Sequence, residues 1–409
     1  MSYSSQLLSI FISTLSITTV CMEKTLLSSQ SIMSPEKKRD VLSKIHPVAH
    51  YLSGHPDRSF ISATWNHDGS ILVSAANNII LRNGQTGECI KTINENHFLG
   101  KIQFSPNGSR MIYRSCLSML KNDVVLCDGH TGDHIKDLLS IDYQKNNLTE
   151  FSLDSTRILQ SISSHNGTNE ATIIIYDAIT GNVLQKTIAP CSIYTLAYKT
   201  DHTFIAGGRS EKKCDELCLY QNGKSIKNLI GNSGEVGLAL FNSDFSRLVT
   251  ASETPYLAQD CNASALVLRD GEGNIIKQLN DHKNTITALA FSPDGKHLVS
   301  GASFSNWCTN NEPNLIIWDA HNGDKLITIN NQDRIEELVF SHDRTLLIAA
   351  CFQKIYFYNG STYELIKILQ DTKFLALRPD GNYIATEKDH KLVLWDLFNI
   401  DNQYMNTKK

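Results

Sequence analysis

Catalytic signatures are missing from this chain. It has no Gly-x-Ser-x-Gly turn, no His-Glu-x-x-His pair and no Gly-rich phosphate loop ending in Gly-Lys-Ser/Thr. Each absence removes a class: elbow-type serine hydrolases, zinc metalloproteases and P-loop nucleotidases. A basic excess is missing too. Lys and Arg total 38 against 42 Asp and Glu, a net charge of −4. A dedicated nucleic-acid surface needs clustered cations, so no nucleic-acid partner is expected. Proline is scarce, and Pro106, Pro293 and Pro379 fall at one recurring turn position, where a fixed φ presets the turn. The apolar run from Leu7 to Cys21 is diluted with Ser and Thr. It is too short for a bilayer, which takes about 20 apolar residues, so no integral span is expected. What remains is a chain that is 41 % hydrophobic, enough for a large core.

What the chain does have is a repeat. A strand-turn unit recurs eight times, with its anchor at Trp65, Phe104, Phe151, Tyr198, Phe241, Phe291, Phe340 and Leu377. Successive anchors lie 39, 47, 47, 43, 50, 49 and 37 residues apart. That period points to a radial array of four-stranded sheets, a β-propeller. The sixth unit is the sharpest. It predicts strand a at Ile286–Phe291, a Ser-Pro-Asp-Gly turn, strand b at His297–Ala302, strand c at Leu315–Asp319 and strand d at Lys325–Ile329. Both faces of the inner strands are apolar because each blade packs against two neighbours. Small residues such as Ala290 and Gly301 let the sheets approach. The third unit is the faintest, because Asn146 to Glu150 is polar for a strand a. Eight blades are expected, with seven blades and an irregular element as the alternative.

These residues resemble the WD-repeat family of β-propellers. Trp318-Asp319 and Trp395-Asp396 match the family dipeptide at the end of strand c, with Tyr176-Asp177 and Cys127-Asp128 as degenerate forms. Gly54-His55, Asn96-His97 and Asp281-His282 stand where the family places Gly-His before strand a. The resemblance runs from about His46 to Leu397 and is divergent. Of the family's hydrogen-bonded network, the sixth unit keeps His282, Ser300 and Trp318, and most units lack the Trp. It implies an all-β, eight-bladed propeller that binds proteins or peptides, without enzymatic activity or cofactor. The expected form is a monomeric ring.

Closure and boundaries follow from the same pattern. The last unit has no good strand d after Leu397, while Val48 to Leu52 has a strand d pattern. The N-terminal strand is therefore expected to complete the last blade and hide its open edge. The domain reading is residues 1–45 as signal peptide plus linker, 46–397 as propeller and 398–409 as a polar tail. Residues 1–21 have the length of an export signal, with Thr19 and Cys21 placed for a cut before Met22, but no Lys or Arg precedes Leu7. A cytoplasmic protein with an N-terminal tail stands beside export as the alternative.

Candidate binding residues come from position in the repeat. The d–a and b–c connections share one face, and the b–c connections of units four to six are long. Tyr256, Phe304 and Trp307 fall there as aromatic anchors. Arg58, His97, Tyr143, Lys283 and Arg334 are the polar candidates around the channel. Cys261 and Cys308, from adjacent units, are a candidate disulfide in an exported protein and free thiols in the cytosol. Cys89, Cys127, Cys191, Cys218 and Cys351 lie in or beside strands and read as small buried residues. Cys214-x3-Cys218 lacks a second ligand pair, so no metal site is expected. The alternative functions are an exported quinoprotein-like enzyme and an extracellular surface- or carbohydrate-binding propeller.

Overall fold

The computed structural model describes residues 48–52, 62–76, 78–94, 99–118, 121–139, 141–142, 147–163, 170–200, 202–209, 217–232, 234–253, 264–303, 314–330 and 333–397. These residues form strands and turns, arranged as eight antiparallel sheets in a β-propeller. No described helix is long and apolar enough to cross a membrane. The proposed export signal and its cleavage point lie outside the described residues.

Blades 1 to 7 run outward in chain order from strand a to strand d, and blade 8 takes its fourth strand from Val48–Leu52. Blade 6 has its four strands at Ile286–Phe291, His297–Ala302, Leu315–Asp319 and Lys325–Ile329, the bounds expected from sequence. Blade 3 is complete, with Asn147–Phe151 paired along its whole length to the next strand. The seven-blade alternative therefore falls. Leu148 and Phe151 are buried, so two side chains hold a strand that reads as polar. Blade 2 is irregular at its rim. His134–Asp137 and the two-residue Ile141–Asp142 both pair with its third strand, Lys121–Asp128.

Burial follows the layers. The b and c strands are almost fully buried, as in Ile71–Ala75 and Leu346–Ala350. The outer strands alternate exposed and half-buried residues. Core clusters sit between blades as well as within them: one joins Leu81 to Met111, and another joins Ile112 to Ile158. Gly301 shows why the seams are tight. A Cβ there would lie 2.6 Å from Ile335 Cγ2 of the next blade.

The ring closes as the sequence indicates. Val48–Leu52 pairs antiparallel with Lys391–Asp396, and Tyr51 stands opposite Val393. Leu52 then fills the seam to blade 1, where Gly87 turns at φ 74° and a Cβ would lie 2.4 Å from Leu52 Cδ2. Gly87 is required twice, for its left-handed backbone and for this approach.

Truncation tests the closure. A chain begun at residue 53 is expected to lose about 3 kcal/mol or more relative to one begun at residue 47, on the scale of one buried apolar strand. Urea unfolding of the two chains measures it, and equal midpoints would refute the closing role.

Candidate binding face and central channel

The inner strands set the channel wall. Neighbouring inner strands touch along most of the ring, including the contact between Ser62–Trp65 and Lys373–Leu377 across the closure. Between blades 2 and 3 a side-chain bond joins the walls: Gln103 Nε2 donates to Glu150 Oε2 at 3.0 Å. Glu150 is fully buried, and its Oε1 has no hydrogen-bond partner among the described residues. Lys101 lies on the inner strand of blade 2 and Glu337 on that of blade 7.

The charge of Lys101 acts on both carboxylates. Burial pushes the Glu150 carboxyl up, against the pull of Lys101 and the Gln103 hydrogen bond. Burial also raises Glu337, with Glu336 adding to the rise and Lys101 opposing it. Lys101 is lowered by burial first and by Arg114 second, while Glu150 and Glu337 hold it up. Desolvation wins in every case, as expected when one lysine serves two carboxylates in a dry site.

The face carrying the d–a and b–c connections surrounds one mouth of this channel. Lys283 is exposed in the connection leading to blade 6, and Arg334 is half-buried in the one leading to blade 7. Arg334 acts on Glu336, and its Nε atom is buried without a partner among the described residues. Arg58, His97, Tyr143, Tyr256, Phe304, Trp307, Cys261 and Cys308 lie outside the described residues. Sequence reasoning missed Phe352, which is 68 % exposed on the tight b–c turn of blade 7. Its signal was an unguarded aromatic between Cys351 and Gln353 in a connection too short to fold back. Phe352 and Tyr51 are the exposed large aromatics among the described residues. Cys127, Cys191, Cys218 and Cys351 are buried as expected, but Cys89 is exposed. It opens the outer strand of blade 1, where Cys89 and Ile90 are exposed and Ile93 is half-buried. Among the described residues no group of three or more His, Cys, Asp and Glu is placed to hold a metal ion.

Beneath this face several blades carry a polar tether between strands b and c. In blade 6, Trp318 Nε1 donates to Ser300 Oγ at 2.8 Å, and Ser300 Oγ lies 2.6 Å from His282 Nε2. Burial holds the His282 imidazole down to about 4, so it is neutral near pH 7. The residue at the Trp318 position changes from blade to blade: Arg82, Cys127, Tyr176, Tyr220, Arg269, Tyr358 and Trp395 occupy it, each opposite the equivalent strand b residue. The tether survives several of these changes. Tyr176 Oη donates to Gln160 Oε1 at 2.6 Å, and Trp395 Nε1 donates to Thr386 Oγ1 at 2.7 Å. Blade 5 rebuilds all three positions. Arg269 Nη2 donates to Asn232 Oδ1 at 2.7 Å, and Thr250 Oγ1 donates to the same oxygen at 3.1 Å. Asn232 precedes Thr250 by the same interval that separates His282 from Ser300.

The acidic half of the dipeptide has its own task. Asp319 Oδ1 accepts the backbone N–H of His321 at 2.7 Å and of Asn322 at 3.1 Å, closing the c–d turn. Asp177 does the same in blade 3. The backbone N–H of Thr180, ahead of the other hydrogen bonds, holds its carboxyl below the ordinary range. Asn83 and Asn359 substitute as neutral acceptors in blades 1 and 7.

Two substitutions test the tethers. Arg269→Ala removes the buried donor to the Ile230 and Gly273 carbonyls and leaves Asn232 Oδ1 with Thr250 Oγ1 alone. It should cost about 3 kcal/mol, measured by urea unfolding. For His282 the folded value lies below that of the unfolded chain. Only the unfolded state gains this proton as pH falls from about 6.5, so stability should drop toward about pH 4. The His282→Gln variant should lose that part of the slope in unfolding experiments run across this range.

Comparisons with known proteins agree with this architecture. The family described as "WD domain, G-beta repeat" matches residues 273–309. That segment takes strand d of blade 5, Ile275–Leu279, together with strands a and b of blade 6. Protein HIR1 of Phaeosphaeria nodorum is 30 % identical over 166 residues, covering 38 % of this chain and 16 % of that protein. Protein HIR1 of Aspergillus oryzae is 24 % identical over 172 residues, 37 % of this chain and 16 % of that protein. Protein hir1 of Schizosaccharomyces pombe is 24 % identical over 139 residues, 28 % and 14 % respectively. The chain thus spans less than a fifth of the length of these relatives.

Proposed function

The chain is a WD-repeat β-propeller, and on that premise we propose that it is a non-enzymatic scaffold that holds a protein or peptide partner on its d–a and b–c face. The observation that carries the reading is Phe352. An aromatic ring that is 68 % exposed on a short turn gains nothing for the fold. Aromatic residues are also common among the few that dominate interface energies. Lys283, Arg334 and Lys354 supply polar groups on the same face, and Lys354 is held by Asp333 Oδ2 at 2.8 Å. The rigid ring presents them without an ordering cost at the backbone, which favours affinity. The sequence candidates Trp307, Phe304 and Tyr256 belong to the same proposed surface through their place in the repeat.

Capture of partners from the native cell with tagged protein tests this. Phe352→Ala should weaken retention of the principal partner by more than about tenfold while melting stays within about 2 °C of the parent. Trp307→Ala should behave in the same way. Retention unchanged in both variants would remove this face from the reading. Affinity loss that only tracks a lower melting temperature would make these rings structural.

A further inference from the structure

We propose that the outer edge of blade 3 docks an extended segment of another protein, added as a fifth strand with apolar, acidic and apolar residues at alternate positions. This surface is separate from the d–a and b–c face. The edge is Val183–Ala189, seven residues long and the longest outer strand among the described residues. Its inner side pairs with Ala171–Asp177, and among the described residues no strand pairs with its other side. The next blade holds it in place. Gln185 Nε2 donates to the Asn222 carbonyl at 2.8 Å, and Thr187 Oγ1 donates to the Gly223 carbonyl at 2.7 Å. A fixed, open edge offers ladder N–H and C=O groups to an added strand.

The side chains on this edge name its occupant. Leu184, Lys186 and Ile188 alternate with the two tied residues and are exposed, Leu184 at 54 % and Ile188 at 70 %. Leu184 stands in the bulge at the start of the ladder. The lysine is out of its usual place. Blades 1, 2, 4 and 5 carry Lys91, Lys136, Lys227 and Lys277 opposite the residue that precedes the tether position of strand c. Each donates to the c–d turn of the following blade. Blade 3 has Gln185 there, and its lysine comes one residue later, on the exposed row. Ile188 departs from the repeat too, because the equivalent residue in blades 1, 5, 6 and 7 is Asn or Gln. Blade 4 repeats the apolar pair as Ile226 and Ile230, but on a five-residue strand with Asn228 between them. Blade 3 alone thus sets a cation between two exposed apolar side chains on a long edge. Residues opposite one another on paired strands share a face, and opposite charges there attract. An apolar-x-acid-x-apolar segment meets the edge in either chain direction. A second copy of this edge, overlapping in full, would set Lys186 against Lys186, which like charges oppose.

Fluorescence polarisation of full-length protein tests the proposal with a labelled peptide, Ser-Thr-Ile-Thr-Glu-Thr-Ile-Thr-Ser. A second peptide has Lys in place of the central Glu, and a third has every internal amide methylated so that it cannot join a ladder. The Glu peptide should bind at least about tenfold more tightly than the other two. Lys186→Glu should reverse the order of the Glu and Lys peptides. Ile188→Asn, which installs the residue type of blades 1, 5 and 6, should weaken the Glu peptide about tenfold while melting stays within about 2 °C of the parent. Phe352→Ala should leave this binding unchanged. No binding of the Glu peptide, equal binding of the three peptides, or an order that Lys186→Glu leaves as it was overturns the proposal. A dimer in sedimentation that Ile188→Asn dissolves also overturns it, because the edge would then serve a second copy. If the peptides fail while Phe352→Ala still weakens partner capture, the scaffold reading stands and only this inference falls.

Discussion

The pairing of Val48–Leu52 with Lys391–Asp396 is the constraint on which the rest depends. A blade with two apolar faces cannot bury both alone, and in a row the end blades stay uncovered. Only a ring gives every sheet two neighbours. The matched repeat, residues 273–309, already straddles two blades. Chain repeat and structural blade are thus out of phase by one strand, and that offset lets backbone hydrogen bonds replace a covalent join. The channel depends on the same closure. Gln103 and Glu150 come from blades 2 and 3, and the bond between them belongs to the channel wall that the shut ring completes.

The tethers show what a fold can substitute and what it must keep. The position after the apolar run of strand c holds Trp, Tyr, Arg or Cys. The residue that follows stays a carboxylate or amide in most blades, because two backbone N–H groups of the turn need an acceptor. Arg269 is the extreme case. It is almost fully buried and surrounded by carbonyl, hydroxyl and amide acceptors, and burial draws its guanidinium down to about 10. The side chain keeps the geometry of a tether at the expense of desolvating a cation.

Much of this was legible in the sequence. The anchors, the Ser-Pro-Asp-Gly turn and the missing last strand fixed blade count and closure, since apolar periodicity and turn chemistry are local. The Trp318-Ser300-His282 tether was legible because all three residues match the family pattern. Its counterpart Arg269-Thr250-Asn232 was not, because an arginine after Leu266-Val267-Leu268 reads as the end of a strand, and only pairing with Leu248 places it inside. The channel cluster was equally hidden. Gln103 and Glu150 are 47 residues apart in the chain and ordinary in their local context, and the bond between them is a property of the packed blades. Cys89 was misread because strand membership does not say which layer a strand occupies.

The closing strand also orders events in time. Tyr51 and Val393 pair although roughly 340 residues separate them, a loop closure that belongs to the slowest class of contacts. On a ribosome the N-terminal strand emerges first and must wait for nearly the whole chain before its partner exists. Until then its ladder groups and the face of blade 1 that Leu52 covers remain free to pair elsewhere. The nascent protein therefore spends most of its synthesis as an open row of blades. Chaperone capture and misassembly compete with folding in that interval, before the last strand seals it.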